Sequence, residues 1–306
     1  MNRKQLRASF LLLLCAFVWG STFVAQSSAT KSIAPFSFLA ARSFVGSFAL
    51  LILSLPFSLT KRDDITAKQK TPLKRLLVVG LFCGIALTVA SACQQYGMTL
   101  GTGAGKAGFL TALYLVFVPL LNFLIFRRSP EFKTILGSIF SLIGLFLLCG
   151  VIQSGSFGIG DFITACCGFC FAIHILIIDR YAGDLNGIQL SCVQFFVCGT
   201  LSLILALVFD PPVTLFPQKA LYSVLYAGLV SSALGYTLQI FGQKDCPPTV
   251  ATILMSLESV FALLSDTVVA LLKKQPIPIS GIELVGCLLM FVGVLLAQIP
   301  LRSTEK

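Results

Sequence analysis

The chain has 306 residues, of which 57% are hydrophobic and 11% are charged, and its formal net charge is +10. Soluble domains contain about 25% charged residues, so this composition excludes a soluble globular protein and predicts that lipid surrounds much of the chain. The longest hydrophilic stretch, about residues 60–75, is too short to form a soluble domain of its own.

Apolar stretches long enough to cross a bilayer, which takes about 20 residues, follow one another along the whole sequence. They predict ten transmembrane helices, called spans 1 to 10 below, with proline in many of the loops. In the first half of the chain the spans lie near residues 8–28, 36–58, 74–97, 103–126 and 133–152. In the second half they lie near residues 158–179, 187–209, 220–243, 248–271 and 280–299. The predicted fold class is an all-α membrane protein.

The residue pattern of the last five spans repeats that of the first five. The matches pair Gly137-x6-Gly144 with Gly286-x6-Gly293, Leu113-x-x-Val116-Phe117 with Leu257-x-x-Val260-Phe261, Tyr96-Gly97 with Phe241-Gly242, and Arg42 with Gln194. A unit with an odd number of spans enters the membrane from opposite sides in its two copies. We therefore predict two inverted five-helix repeats, residues 1–153 and 154–306. Secondary transporters use this architecture to alternate access to a midplane site, which makes transport the leading hypothesis.

The positive charge is divided unevenly between the two sides of the predicted bundle. If the N-terminus lies in the cytoplasm, sixteen Lys and Arg residues are cytoplasmic and five lie on the other side. Positive residues favour the cytoplasmic side, so both termini are predicted to be cytoplasmic. Topology and anionic lipid thus account for the basic charge, and no nucleic acid is expected as a partner. We expect an uncleaved first helix and a location in the bacterial plasma (inner) membrane.

Two motifs look like metal or nucleotide sites but are better explained by helix packing. Cys166-Cys167-x-x-Cys170 has the spacing of a zinc or redox motif, yet it lies in an apolar span without a neighbouring histidine or second cysteine pair. The glycine-rich segment 101–106 lacks the Gly and the Ser or Thr that a phosphate-binding loop requires at Leu100 and Ala107. The sequence predicts no metal, no cofactor and no enzyme activity.

Charged side chains inside spans are the best guide to a functional site, because each costs about 2.5–3.5 kcal/mol near a helix centre. Arg42 lies in span 2, Glu258 near the middle of span 9, and Asp266 further along span 9. Arg42 either pairs with a buried carboxylate or anchors an anionic group of a solute. Glu258 is either a protonated carboxyl group held by packing or a substrate ligand and proton carrier.

Polar and aromatic side chains of several spans predict a central cavity that suits a small amphipathic solute. The candidate substrate-binding residues are Trp19, Arg42, Gln94, Gln95, Tyr96, Tyr114, Gln194, Tyr236, Gln239 and Glu258. Asn122 and Lys106 are expected near the same cavity. His174, the only histidine, is either a packed, hydrogen-bonded side chain or a proton-coupling group alongside Glu258.

An ordered set of motifs runs through the whole chain. It comprises Trp19-Gly20-Ser21, Pro35-Phe36, Ala41-Arg42, Gly105-Lys106-Ala107-Gly108-Phe109, Val118-Pro119-Leu120, Tyr236-Thr237-Leu238-Gln239-Ile240 and Leu257-Glu258-Ser259-Val260-Phe261-Ala262. Together these motifs resemble the EamA-like family of the drug/metabolite transporter superfamily. The resemblance implies ten helices, a cavity lined by spans 1–4 and 6–9, and secondary transport, often export, of amino acids or other small metabolites. One departure is Lys273-Lys274-Gln275-Pro276, where relatives commonly carry a Gly-Glu-Arg-type segment.

The leading interpretation is a secondary active exporter of small amino-acid-like or amphipathic metabolites. An importer or facilitator of a related solute fits the same residues, because they do not encode direction. A membrane enzyme would need a nucleophile, metal cluster or paired-carboxylate motif, and a non-transporting receptor would not need inverted repeats or costly buried charges. The predicted partners are a small-molecule solute, the lipid bilayer and a second copy of the chain in a homodimer.

Overall fold

The computed structural model describes residues 3–29, 32–59, 72–151, 156–210, 215–274 and 279–298, and in these ranges it contains helices and loops but no β-strand. In the first repeat the helices are Arg3–Ala29 (span 1), Pro35–Leu59 (span 2), Leu73–Thr99 (span 3), Ala104–Thr111 with Tyr114–Phe126 (span 4) and Phe132–Leu148 (span 5). In the second they are Ile159–Tyr181 (span 6), Gly187–Phe209 (span 7), Gln218–Ala220, Leu221–Tyr226, Ala227–Gly235 and Tyr236–Gln243 (span 8), Pro248–Met255 with Glu258–Leu272 (span 9) and Gly281–Gln298 (span 10).

The predicted class, an all-α membrane protein with ten spans, is confirmed. Within the described ranges, nine spans are long and apolar enough to cross a membrane, and span 5 is a shorter apolar helix of 17 residues. Large apolar side chains such as Phe10, Phe48, Leu207 and Leu288 are more than half exposed, as expected for a surface that faces lipid. Gln275 and Pro276, part of the segment that departs from the family pattern, lie outside the described residues.

The most extensive helix contacts join a span of one repeat to a span of the other. Span 5 packs on span 10, span 2 on span 7, and span 3 on spans 6 and 7; span 1 packs on spans 8 and 9. Exchanging the two repeats preserves this arrangement. Span 3 is equivalent to span 8 and span 6 to span 1, and the contact between spans 3 and 6 has its counterpart in the contact between spans 8 and 1. The inverted repeats are therefore intertwined rather than placed side by side.

Glycines at corresponding positions make these contacts close. A Cβ atom added at Gly144 would lie 2.5 Å from the carbonyl oxygen of Gly286, and one added at Gly137 would lie 2.6 Å from that of Gly293. Both distances are too short for any side chain, so spans 5 and 10 meet backbone to backbone and antiparallel. Small residues serve this role in membrane helix pairs, where close van der Waals packing replaces the hydrophobic effect.

A second set of glycines shows the same equivalence between the repeats. A Cβ atom at Gly84 would lie 2.9 Å from the Gln194 carbonyl oxygen, and one at Gly228 would lie 2.9 Å from the Arg42 carbonyl oxygen. Gly84 and Gly228 are equivalent positions, as are Arg42 and Gln194, so each contact is the image of the other. The sequence match between Arg42 and Gln194 thus corresponds to a structural one.

Spans 4 and 9, predicted as continuous helices, are each interrupted near the middle. The helices stop at Thr111 and Met255 and resume at Tyr114 and Glu258. At both breaks the backbone tightens into bonds between residues three apart, such as Leu115 N to Ala112 O at 2.9 Å and Ser259 N to Ser256 O at 3.2 Å. The breaks, Ala112-Leu113 and Ser256-Leu257, contain neither proline nor glycine, so the local sequence carried no signal for them.

Span 8 contains a π-helical segment, Ala227–Gly235, that has no counterpart in span 3. Gly228, at the start of this segment, is 144 positions from its equivalent Gly84, whereas Gly242, after the segment, is 145 positions from Gly97. The wider turns of a π-helix absorb one additional residue, which accounts for the shift. The prediction of a regular helix over 220–243 was wrong in this part.

Candidate functional site

A cavity lies where the two repeats meet, and its volume, including the solvent space at its opening, is about 570 Å³. Its lining comes from spans 1, 2, 3, 4, 6, 8 and 9: Trp19, Thr22, Phe23, Gln26, Arg42, Gln94, Thr111, Tyr114, Phe171, Ile175, Ser231, Tyr236, Gln239, Met255 and Glu258. Both interrupted spans border it at the point of interruption. We call this space the central cavity.

The central cavity is built from equivalent residues of the two repeats. The pairs are Trp19 with Phe171, Phe23 with Ile175, Gln94 with Gln239, Thr111 with Met255, and Tyr114 with Glu258. The cavity therefore lies on the pseudo-twofold axis that relates the repeats. Its charges are not symmetric, because Arg42 corresponds to the neutral Gln194 and Glu258 corresponds to Tyr114.

Arg42 is the cation of the central cavity and is only 5% exposed. Its guanidinium carbon lies 5.8 Å from the centre of the Phe38 ring, and its Nε atom has no hydrogen-bond partner among the described residues. Among the described residues no salt bridge involves Arg42. No carboxylate in the described part of the chain pairs with Arg42, so the structure does not support the interpretation that a buried carboxylate of the protein satisfies this side chain.

Glu258 is the carboxylate of the cavity and is 5% exposed at the start of the second half of span 9. The hydroxyl of Tyr114 donates to its Oε1 atom at 3.4 Å. Gly20 of span 1 lets the helices approach here, since a Cβ atom added to it would lie 2.5 Å from the Glu258 carbonyl oxygen. Within the described ranges Glu258 forms no salt bridge, with Arg42 or with any other cation.

A network of amide side chains forms one wall of the cavity. Gln26 Nε2 donates to Gln95 Oε1 at 2.9 Å and to Gln94 Oε1 at 3.5 Å, and Gln94 Nε2 donates to Thr111 Oγ1 at 2.8 Å. The network fixes the amide of Gln94 at the cavity surface. The Oε1 atom of Gln239, its counterpart in the second repeat, has no hydrogen-bond partner in the described part of the chain.

Aromatic rings form another part of the cavity wall. Trp19 and Tyr236 have ring centroids 4.8 Å apart, and Tyr236 also contacts Phe195 edge-on at 5.1 Å. Trp19 Nε1 is buried against Gly235, where an added Cβ atom would lie 2.5 Å from it, and it has no hydrogen-bond partner among the described residues. A site with apolar faces and a few fixed polar groups is typical of pockets for small amphipathic ligands.

The structure brings together seven of the ten candidate substrate-binding residues in the central cavity: Trp19, Arg42, Gln94, Tyr114, Tyr236, Gln239 and Glu258. Gln95 lies behind Gln94 and contacts Gln26. Tyr96 is 42% exposed and stacks on Phe36 at 5.9 Å, outside the cavity. The placement of Tyr96 in the cavity was wrong because it follows Gln95 on the helix and points to a different face.

Gln194 and His174 form a separate buried contact behind the cavity wall. Gln194 Oε1 lies 3.0 Å from His174 Nε2, and both side chains are fully buried. Tyr236 lies between this pair and the cavity, with its ring centroid 5.9 Å from that of His174. Span 7 consequently contributes no lining residue, in contrast to the expected lining by spans 1–4 and 6–9. The geometry favours the packed, hydrogen-bonded interpretation of His174.

Several lining residues were not among the predicted site residues, namely Thr22, Phe23, Gln26, Thr111, Phe171, Ile175, Ser231 and Met255. Phe171 could have been found from the repeat, since it stands 152 positions after Trp19. Thr111 and Met255 could not, because the helix breaks that expose them have no sequence signature. Asn122 was expected here but lines a second, wider cavity at one end of the bundle.

The cysteines form no metal site in the described part of the chain. Cys167 is fully buried with its Sγ atom 3.3 Å from Thr111 Oγ1, Cys166 is exposed, and Cys170 is partly buried. No group of three or more potential metal ligands occurs among the described residues. Cys167 thus packs as a small side chain beside the amide network.

Ten apolar spans in two inverted, intertwined repeats around an axial polar cavity define a membrane protein of the inverted-repeat transporter class. Residues 6–150 and 158–298 match the EamA-like transporter family, and the chain belongs to that family. The predicted family is confirmed. The matched segments leave residues 151–157 between them, close to the boundary predicted at 153.

Related proteins are described as transporters without a stated solute. An "uncharacterized transporter" of Archaeoglobus fulgidus is 28% identical over 97% of this chain and 87% of its own length. The "uncharacterized transporter YwfM" of Bacillus subtilis is 25% identical over 97% of this chain and 95% of its own. A solved crystal structure superposes with a TM-score of 0.72 at 17% identity, covering 95% of this chain and 97% of the other, which supports the fold.

Proposed function

We propose that the protein is a secondary active transporter that exports small amino-acid-like or amphipathic metabolites across the bacterial plasma membrane. The observation that carries this proposal is the pair of charged side chains in the central cavity. Arg42 and Glu258 are the charged residues of its described lining, and they form no salt bridge with each other. Buried charges are costly unless satisfied, so a ligand that satisfies both is favoured.

The arrangement suits a solute with an anionic group, a cationic or donor group and an apolar part. The guanidinium of Arg42 presents a planar fork that matches a carboxylate. Glu258 Oε1 and the free Oε1 atom of Gln239 accept hydrogen bonds from an ammonium group. The rings of Trp19 and Tyr236 pack against an apolar side chain of the solute.

Coupling to a proton gradient would act through Glu258. This carboxyl group has one hydrogen-bond donor, Tyr114, and is enclosed when the cavity is closed. Opening the cavity to either side brings water to the carboxyl group, so a proton can be bound in one access state and released in the other. A proton that crosses a potential of 100 mV provides about 2.3 kcal/mol, which biases accumulation more than tenfold.

The orientation follows from the distribution of charge. The excess of Lys and Arg on the face that carries the N-terminus supports a cytoplasmic location for both termini. Export would then load the solute from that face. An importer or facilitator of a related solute uses the same residues and is the alternative within this class.

A flux panel in proteoliposomes tests the proposal. Purified protein is reconstituted, and zwitterionic, anionic and cationic radiolabelled metabolites are compared with and without an imposed pH gradient. We expect saturable flux for at least one zwitterionic or anionic solute, stimulated by the gradient. The matched control is Arg42→Ala, which should abolish flux while keeping the melting temperature of the wild type. Flux equal to that of protein-free vesicles for every solute would contradict the proposal.

A further inference from the structure

One end of the bundle is held by a deeply buried ion pair. Lys106 Nζ lies 3.1 Å from Asp161 Oδ2, and the two side chains are 7% and 6% exposed. Asp161 also accepts hydrogen bonds from the Thr102 hydroxyl and the Gly158 N–H group, both at 2.9 Å. The cluster ties the start of span 4 to the start of span 6 on the face opposite the N-terminus, and we call it the ion-pair clasp.

The repeat places equivalent residues at the other end of the bundle, and these residues cannot form an equivalent ion pair. Lys106 corresponds to Val250 and Thr102 to Cys246, because spans 4 and 9 are related by an offset of 144 residues. Asp161 corresponds to Ser9, because spans 1 and 6 are related by an offset of 152 residues. Neither Val250 nor Ser9 carries a charge. Val250, Ser9 and Cys246 line the second cavity, which also borders Asn122, Arg128 and Asp179. Its volume, including the solvent space at its opening, is about 1940 Å³.

The two ends of the bundle therefore differ in both sequence and conformation. The wide cavity opens on the face formed by the start of span 1, the ends of spans 4, 6, 8 and 10, and the start of span 9, which we call the N-terminal face. On the opposite face the equivalent helix ends are closed over Asp161. In an inverted repeat the same helix ends act as the gate on each side, and alternating access exchanges which one is open.

We propose that Lys106, Asp161 and Thr102 form the gate of the opposite face, and that this gate must separate in each transport cycle. The N-terminal face lacks the clasp, and the charged residues that border its cavity, such as Arg128 and Asp179, are not the equivalents of Lys106 and Asp161. Two ions that separate into water regain hydration, so the clasp can open reversibly. Removing one partner leaves the other charge buried and unpaired, which favours the state in which water reaches it.

The single tryptophan of the chain, Trp19, lines the central cavity and reports on access from each side. Protein in vesicles sorted to one orientation by an appended tag is exposed to iodide on one side only, and quenching of Trp19 fluorescence is measured. In Asp161→Asn and Lys106→Gln we expect quenching from the opposite face to rise on the order of tenfold, the change that about 1.4 kcal/mol produces. The double variant Lys106→Met/Asp161→Leu leaves no buried charge and should return quenching to the wild-type level.

Two further variants complete the test. Asp184→Asn breaks the exposed ion pair with Arg75 on the N-terminal face and should leave quenching from the opposite face unchanged. Thr102→Val removes one hydrogen bond to Asp161 while keeping both charges, so it should give a smaller rise even if a neutralised variant does not fold. Folded Asp161→Asn and Thr102→Val proteins that are quenched from the opposite face no more than the wild type would overturn the proposal.

This inference rests on the proposed transport function, but its test requires no solute. Absence of flux together with altered quenching would contradict the proposed substrates but support the proposed gate. Solute flux in the wild type, together with unaltered quenching in the clasp variants, would contradict the proposed gate but support the transport proposal.

Discussion

Tyr114 and Glu258 occupy the same position in the two repeats, 144 residues apart, and their side chains meet across the pseudo-twofold axis with a 3.4 Å hydrogen bond. Each begins the second half of an interrupted span. Equivalent positions thus carry a phenol in the first repeat and a carboxyl group in the second, so only the second repeat supplies a carboxyl group here. A proton carried here would be carried by one group and not by two.

Replacing Glu258 by Gln should separate exchange from accumulation. The amide mimics the protonated carboxyl group, so solute exchange across proteoliposomes should continue at near wild-type rates. Gradient-driven accumulation and its pH dependence should disappear. The control is Asp266→Asn, which changes the exposed carboxylate of the same span and should have no effect. A folded Glu258→Gln protein whose accumulation still follows the pH gradient would rule out a proton carrier at this position.

Replacing Arg42 by Lys should weaken solute binding about tenfold or more. The charge is kept but the bidentate fork is lost, and a hydrogen bond to a charged group contributes about 1.5–3 kcal/mol. Equilibrium binding of the solute found in the flux panel measures the change. Arg75→Lys, at an exposed ion pair, is the matched control. Wild-type affinity in Arg42→Ala would show that this side chain does not contact the solute.

Replacing Gly144 by Val should destabilise the contact between spans 5 and 10. Its first added carbon would lie 2.5 Å from the Gly286 carbonyl oxygen, and overpacking of this kind costs about 1–3 kcal/mol. The melting temperature in detergent measures the loss. Gly103→Ala, where an added Cβ atom meets nothing within 4 Å, should melt as the wild type does. Equal melting temperatures for the two variants would contradict the backbone contact.

Joint replacement of Cys166, Cys167 and Cys170 by Ala should leave solute flux largely intact, because these side chains pack as small apolar groups. Metal analysis of the purified wild-type protein should find less than one zinc per chain. Stoichiometric zinc in the wild type that is absent from the triple variant would refute this expectation.

Both termini should lie in the cytoplasm. A cysteine introduced at Asp184, in the loop between spans 6 and 7, should be protected from a membrane-impermeant maleimide in intact cells. A cysteine introduced at Phe157, which is 64% exposed between spans 5 and 6, should be labelled. The reverse pattern would invert the topology and with it the direction assigned to export.

The fold could be predicted from sequence because apolar length and the paired glycine motifs are long-range regularities that survive without knowledge of packing. Arg42 and Glu258 could be found because a charged side chain inside a span is costly, and Trp19 because it is the only tryptophan of the chain and lies in an apolar span. Gln95 and Tyr96 could not be sorted from Gln94, since adjacent residues on a helix face different neighbours. The breaks beside Thr111 and Met255 and the π-helical segment of span 8 depend on contacts between repeats, which local sequence does not record.

The backbone contacts of Gly84, Gly137 and Gly144 with the other repeat have a consequence for the origin of the chain. A lone five-span unit would have bare surfaces at each of these positions, and its only matching surfaces are its own, turned upside down. If an ancestral gene encoded one such unit, copies that entered the membrane in opposite orientations could have paired through these surfaces as a closed twofold dimer. Fusion of two such genes would then have fixed one copy in each orientation. After the fusion, Arg42 and Glu258 could differ from the equivalent residues Gln194 and Tyr114.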